Sequence, residues 1–163
     1  MQLLNDMLDR STAVGKVEWI GLAAERRGRI VPQQQVTVAE NAGILGEHHF
    51  NAAGTSKRQV TLIQHEHLDT VARLLNRDRV PPELLRRNVV VSGINLASLK
   101  KQRFRIGTAV LEATGPCVPC SLMEENLGPG GYAAMIGHGG ITAIVVIAGT
   151  FRVGDAVSRI SPE

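Results

Sequence analysis

Seventeen glycines and seven prolines cut this chain of 163 residues into short pieces. Glycine weakens the interior of a helix or strand, and proline removes a backbone donor, so both collect at turns. Only five residues are aromatic (Trp19, Phe50, Phe104, Tyr132 and Phe151), which leaves Val, Ile, Leu and Ala to fill a core. Helical bundles rarely need so much glycine, whereas small β-rich domains do. The length is that of one domain, large enough to fold without a disulfide or metal staple. Hydrophobic residues at 44% and charged residues at 20% exclude a disordered chain.

Residues 1–13 read as a helical lead, with Leu3, Leu4, Met7 and Leu8 on one face, and residues 14–163 as the domain proper. Strand patterns follow at Lys16–Leu22, Gln35–Val38 and Arg58–Ile63. The stretch from Gly43 to Gly54 reads as a loop. From His67 the period changes, and Leu68, Val71, Ala72, Leu74 and Leu75 predict a helix over 66–77. Pro81-Pro82 punctuates, and Glu83–Arg86 reads as a short helix. Asn88–Gly93 is strand then turn, Phe104–Ala113 one long strand broken at Gly107, and residues after Cys120 helical. Gly128–Gly131 reads as a hinge. The unbroken apolar run Ile141–Ile147 fits a strand buried on both faces, and 154–160 a turn with an edge strand. These elements predict a mainly β (α+β) domain with short helices, a small and partly closed β-barrel. Alternating βαβ units are not expected, because strands follow one another directly.

Lys and Arg exceed Asp and Glu by 18 − 15 = 3. With no basic run and no aromatic stacking positions, nucleic acid is not an expected partner. No apolar run approaches the ~18 residues of a membrane span, so no membrane is expected either. The N-terminus lacks the basic flank and apolar stretch of a signal peptide. A reducing, cytoplasmic setting is expected, and there a cysteine pair more often means chemistry or metal than a staple.

That pair, in Thr114-Gly115-Pro116-Cys117-Val118-Pro119-Cys120, stands between a predicted strand and a predicted helix. Two prolines stiffen the loop, and backbone N–H groups at a helix start favour an anion. Two buried inert thiols are the plain alternative. A redox pair, a zinc site completed by histidine, and a soft-metal or sulfur-carrying thiolate are the chemical ones. Among the histidines, His49 in Gly46-Glu47-His48-His49 and His138 in Gly137-His138-Gly139-Gly140 are candidates, each balanced against an ordinary solvated side chain. His65-Glu66-His67 lacks the spacing of a zinc-protease helix, which makes His67 a solvent-facing or first-turn residue. Arg58, Arg86 and Arg87 stand at strand edges, where a forked donor suits a phosphate, and Asn88 follows directly. The glycine runs lack the Lys-Ser/Thr of a phosphate loop and read as hinge and close-approach glycines.

Taken in order, these segments resemble a MOSC domain, the domain found at the C-terminus of molybdenum cofactor sulfurases. The resemblance is carried by Gly46-Glu47-His48-His49, where the family favours Gly-Asp-x-His, by Arg58-Gln59-Val60-Thr61-Leu62-Ile63, and by the segment from Arg86 to Leu96. It continues through Ile106-Gly107, Leu111-Glu112, Cys117-Val118-Pro119-Cys120, Gly139-Gly140-Ile141 and Gly154-Asp155-Ala156-Val157.

The resemblance implies a β-barrel and a cleft that binds or handles the molybdenum cofactor, a pterin dithiolene (molybdopterin) bearing a phosphate. It implies Cys120 as molybdenum ligand or persulfide carrier, with Cys117 as its neighbour. By the same resemblance Arg86 and Asn88, with Arg87 between them, contact the cofactor, and His49, Arg58, Thr61 and His138 complete the expected contacts. Two activities are implied: sulfur transfer to a molybdenum centre, with a sulfur-donor protein as partner, or reduction of N-hydroxylated substrates with an electron-transfer partner. Relatives with reductase activity carry Arg just before the ligand cysteine, where this chain has Pro119. A non-catalytic binding domain that kept the barrel is the alternative. No pyridoxal phosphate is expected, since that cofactor belongs to the sulfurases' other domain.

Overall fold

In a computed structural model, residues 2–162 are described, and they contain eleven strands and four α-helices. The strands are β1 (Val14–Leu22), β2 (Val31–Gln33), β3 (Gln35–Ala39), β4 (Gly43–Ile44), β5 (Val60–Gln64) and β6 (Val89–Ser92). They continue as β7 (Arg103–Ile106), β8 (Ala109–Pro116), β9 (Ile141–Ile147), β10 (Gly149–Arg152) and β11 (Ala156–Arg159). The helices are α1 (Gln2–Asp9), α2 (His65–Leu74), α3 (Ser121–Leu127) and α4 (Gly131–Met135), with tight helical turns at Pro82–Leu85 and Leu96–Leu99.

Seven strands close into a barrel in the order β1, β11, β7, β8, β9, β5, β6 and back to β1. The expected barrel is therefore complete: Val14–Lys16 of β1 pair with Ala156–Ser158 of β11 and remove the open edge. A bulge between Val17 and Trp19 lets β1 bend so that it also serves β6 and, at its far end, β2. Strands β10, β3 and β4 form a small second sheet. Its Val36, Val38, Ile44 and Phe151 join Leu62, Val89, Phe104 and Leu111 in one core, so barrel and small sheet fold as a unit.

Pairings round the barrel are antiparallel except β5 with β6, which are parallel and joined by α2. The helix expected over 66–77 thus serves as the crossover of one βαβ unit, a connection that was not expected, because parallel neighbours cannot be joined by a tight turn. Its consequence is a second core outside the barrel wall, where Ile63 and Val90 meet Val71, Ala72, Met123, Leu127 and Met135. Strand β5 is buried along its whole length. By contrast β9 alternates between buried and half-buried, so the long apolar run is not the strand covered on both faces.

Residues 103–116 are a hairpin of β7 and β8, not one broken strand; Gly107 adopts φ +58° in the turn. The expected hinge at 128–131 runs into α4, and the Gly43–Gly54 loop contains β4. α1 buries none of its residues, and Leu3, Leu4 and Met7 are exposed, so the helical lead adds nothing to either core. Among the described residues no helix is long and apolar enough to cross a membrane.

Candidate functional site

The cysteine loop begins where β8 ends. Pro116 still pairs with Ile141, and the Cys117 N–H donates to the Gly140 carbonyl at 2.8 Å, which ties the loop to the entry of β9. The two thiols then diverge. Cys117 is 2% exposed, whereas Cys120 is exposed and stands in extended conformation immediately before α3. Pro119 fixes the step between them, and the Cys120 carbonyl accepts from the Met123 N–H at 3.0 Å. A cavity of about 310 Å³ adjoins the loop, lined in part by Pro116, Gly115, Gly140, Ala97 and Lys100.

Arg87 lies under this loop, only 3% exposed. Its Nε donates to the Gly139 carbonyl at 2.8 Å and its Nη1 to the Leu85 carbonyl at 2.9 Å. Its Nη2 is buried and has no hydrogen-bond partner. Leaving such a donor unpaired costs about 1–3 kcal/mol. Burial works against the guanidinium charge; the neighbouring Cys117 supports it, the Arg58 cation opposes it, and Cys120 supports it. Two thiols and two guanidinium groups therefore share one electrostatic neighbourhood. Gly139 makes the approach sterically feasible, since a Cβ there would stand 2.1 Å from the Cys117 carbonyl oxygen and 3.3 Å from Arg87 Nη2.

Two of the sequence candidates, Cys117 and Arg87, meet across Gly139; Arg58 and Cys120 lie close enough for their charges to act on Arg87. The others are engaged elsewhere. Arg86 adopts φ +55° after the Pro82–Leu85 turn and donates from Nη1 to the Gly28 carbonyl at 2.7 Å, clamping the loop that follows β1. Thr61 and Asn88 bond to each other, since Asn88 Oδ1 accepts from the Thr61 N–H and hydroxyl, both at 3.1 Å. The Asn88 N–H donates in turn to Thr61 Oγ1 at 2.9 Å, and Asn88 Nδ2 to the Gly21 carbonyl at 3.3 Å. That set joins β1, β5 and β6 where their ladder begins. His49 is held through Nδ1 by Glu47, and His138 packs edge-on against His67 with ring centroids 4.9 Å apart. His67 is a half-buried first-turn residue of α2, and burial together with the His138 charge holds its pKa below the usual imidazole value, against an opposing pull from Glu66.

In sequence Arg86, Arg87 and Asn88 are equivalent candidates; the direction of each side chain separates them, with Arg87 and Asn88 both buried. In sequence Glu47 reads only as a substitute for Asp, yet it is buried and lies against two histidines. The one local sign was its position beside His48-His49.

A closed seven-stranded barrel with a small second sheet and short helices is the fold of a class of small β domains. The family model described as the MOSC domain matches residues 46–158, and the chain belongs to that molybdenum-cofactor-related family. Solved structures share the fold. The YuaD protein from Bacillus subtilis superposes with a TM-score of 0.75 at 24% identity, over 92% of this chain and 97% of that one. YiiM from Escherichia coli gives 0.68 at 16% identity, over 91% of this chain and 71% of its own. A search of curated proteins found no match.

Proposed function

We propose that this protein handles the molybdenum cofactor and carries sulfur on Cys120. The observation that supports it most is the buried Arg87 Nη2, unpartnered beside Cys117 and Cys120. An unpaired guanidinium N–H is the group that a phosphate or another oxyanion would satisfy, and Arg58 adds a second positive charge nearby. The donor set therefore fits a phosphate-bearing dithiolene: cations for its anionic part and an exposed thiol as soft ligand. Bound, such a cofactor supplies a molybdenum centre able to take up sulfur.

The chain's own residues divide the work. Arg87, tied to the Gly139 and Leu85 carbonyls, holds its third nitrogen at a fixed point beneath the loop. Cys120 is the thiol a partner can reach. As thiolate it attacks the outer sulfur of a donor protein's cysteine persulfide. A new S–S bond forms at Cys120 as the donor's S–S bond breaks, and the donor leaves as a thiolate, with no net oxidation. Cys117, buried and bonded through its N–H to Gly140, positions the loop. The exposure of Cys120 favours this reading over a binding domain with two inert thiols.

Incubation with a cysteine desulfurase and free cysteine, followed by mass spectrometry of native protein, tests the proposal. One added sulfur atom should map to Cys120, persist in Cys117→Ala and vanish in Cys120→Ser. No persulfide on Cys120, or one on Cys117 alone, would sink the carrier role.

A further inference from the structure

Glu47, His48 and His49 form a second cluster, separate in its contacts from the cysteine loop. Glu47 Oε1 lies 2.7 Å from His48 Nδ1 and 3.0 Å from His49 Nδ1, while Oε2 accepts from the Ala23 N–H at 2.9 Å; His48 Nδ1 also lies 3.1 Å from the Ala23 carbonyl oxygen, a contact that ion binding must replace. The loop is fixed by its backbone. The Glu47 N–H donates to Ile44 at 3.1 Å, the His48 N–H to Ala23 at 2.8 Å, and the Phe50 N–H to Glu47 at 3.0 Å. Three donor atoms thus converge within 4.8 Å of one another on a rigid turn.

Charge makes this cluster unusual. The Glu47 side chain is 2% exposed, and among the described residues no Lys or Arg pairs with it; its ionic partners are the two imidazoles. Burial pushes this carboxyl up, but the His49 hydrogen bond, the Ala23 N–H and the two histidine charges outweigh it, so the carboxylate form prevails. A buried carboxylate of that kind needs positive charge close by. A proton on one ring would supply one unit, and a divalent cation among the three ligand atoms would supply two.

Tetrahedral zinc with ligand bonds of about 2.1 Å sets its donor atoms about 3.4 Å apart. The two O···N separations, 2.7 and 3.0 Å, are those of a shared proton, and each widens by about 0.4–0.7 Å when an ion takes that proton's place. Two imidazole nitrogens and one carboxylate oxygen on one face select a first-row transition ion, whereas calcium and magnesium want oxygen throughout. The His48 and His49 side chains are 18% and 36% exposed, which leaves the opposite face open to water.

We propose that Glu47 Oε1, His48 Nδ1 and His49 Nδ1 bind one zinc-like divalent ion. The site is independent of the sulfur-carrying role and of both cysteines.

Zinc titration of chelator-stripped protein by calorimetry, paired with nitrogen-15 NMR of the imidazoles, tests it. The parent for the test is the full chain carrying Cys117→Ala and Cys120→Ser, which removes every thiol ligand. One zinc per chain should bind, with metal at Nδ1 and the proton at Nε2 of both His48 and His49. His49→Ala, a half-exposed position that leaves the buried Glu47 in place, should weaken binding at least about tenfold. Glu47→Gln should do the same if its fold survives, which circular dichroism checks. The proposal is overturned if the thiol-free parent binds no zinc at about 0.1 mM, or if His49→Ala binds as the parent does. It is equally overturned if both Nδ1 atoms keep their protons in the zinc-loaded protein.

Discussion

Replacing Arg87 with methionine separates its two roles, holding the loop and offering a free donor. The substitution keeps a long flexible side chain in a site only 3% exposed, so the cavity it leaves is small. The Gly139 and Leu85 carbonyls lose their charged donors, each at a cost of about 1–3 kcal/mol. Removing the unpaired Nη2 and a buried charge returns about 1–3 kcal/mol. The net loss is about 1–3 kcal/mol, which for a domain of this length lowers Tm by about 3–10 °C. The sharper measurement is the response to an oxyanion. Molybdate or phosphate at about 100 times its Kd should stabilise the wild type by about 2.7 kcal/mol, a rise of about 5–10 °C in Tm. Differential scanning fluorimetry against sodium chloride of equal ionic strength measures that rise. In Arg87→Met it should vanish, and in Arg87→Lys, which keeps the charge but not the fork, it should be reduced. An equal shift in wild type and Arg87→Met would refute the argument from the unpaired nitrogen.

Three further outcomes are expected. Gly139→Ala should destabilise the fold by about 1–3 kcal/mol in urea unfolding, because its Cβ would meet the Cys117 carbonyl oxygen at 2.1 Å and the loop must move. Thiol titration of native protein should show one fast group, lost in Cys120→Ser, and one slow group that reacts only on unfolding, since Cys117 is buried. His67 has its folded pKa below the unfolded value near 6.5, so its contribution is present above that pH and is lost as pH falls below it. Tm should therefore drop between about pH 7 and about pH 5, and His67→Phe or His138→Ala should flatten that part of the curve.

Much of the barrel was legible along the chain because its signals are local. A period-two run marked β3, strand-like and β-branched runs marked β1, β5 and β6, and the change of period at His67 marked α2. The order of short motifs, from Gly46 to Asp155, pointed to the family whose model matches 46–158. Where local signals were ambiguous the reading missed. Gly107 was equally compatible with a bend and with a hairpin turn, and only the pairing of Arg103–Ile106 with Ala109–Glu112 decides between them.

The site divides along the same line. Sequence alone marked the cysteine pair, the arginines and the glycine run as places where chemistry could sit, because residue type and punctuation are properties of the chain. Which members face one another depends on contacts between residues far apart in sequence. Arg87 reaches Gly139 across 52 positions while its neighbour Arg86 turns to Gly28, so one residue's difference in direction along the strand edge gives the two arginines different partners. Glu47 became significant only when folding buried its carboxylate against Ala23, 24 positions away, and left two imidazoles as its sole ionic partners among the described residues. Burial and desolvation are created by tertiary packing, so no reading of local pattern contains them.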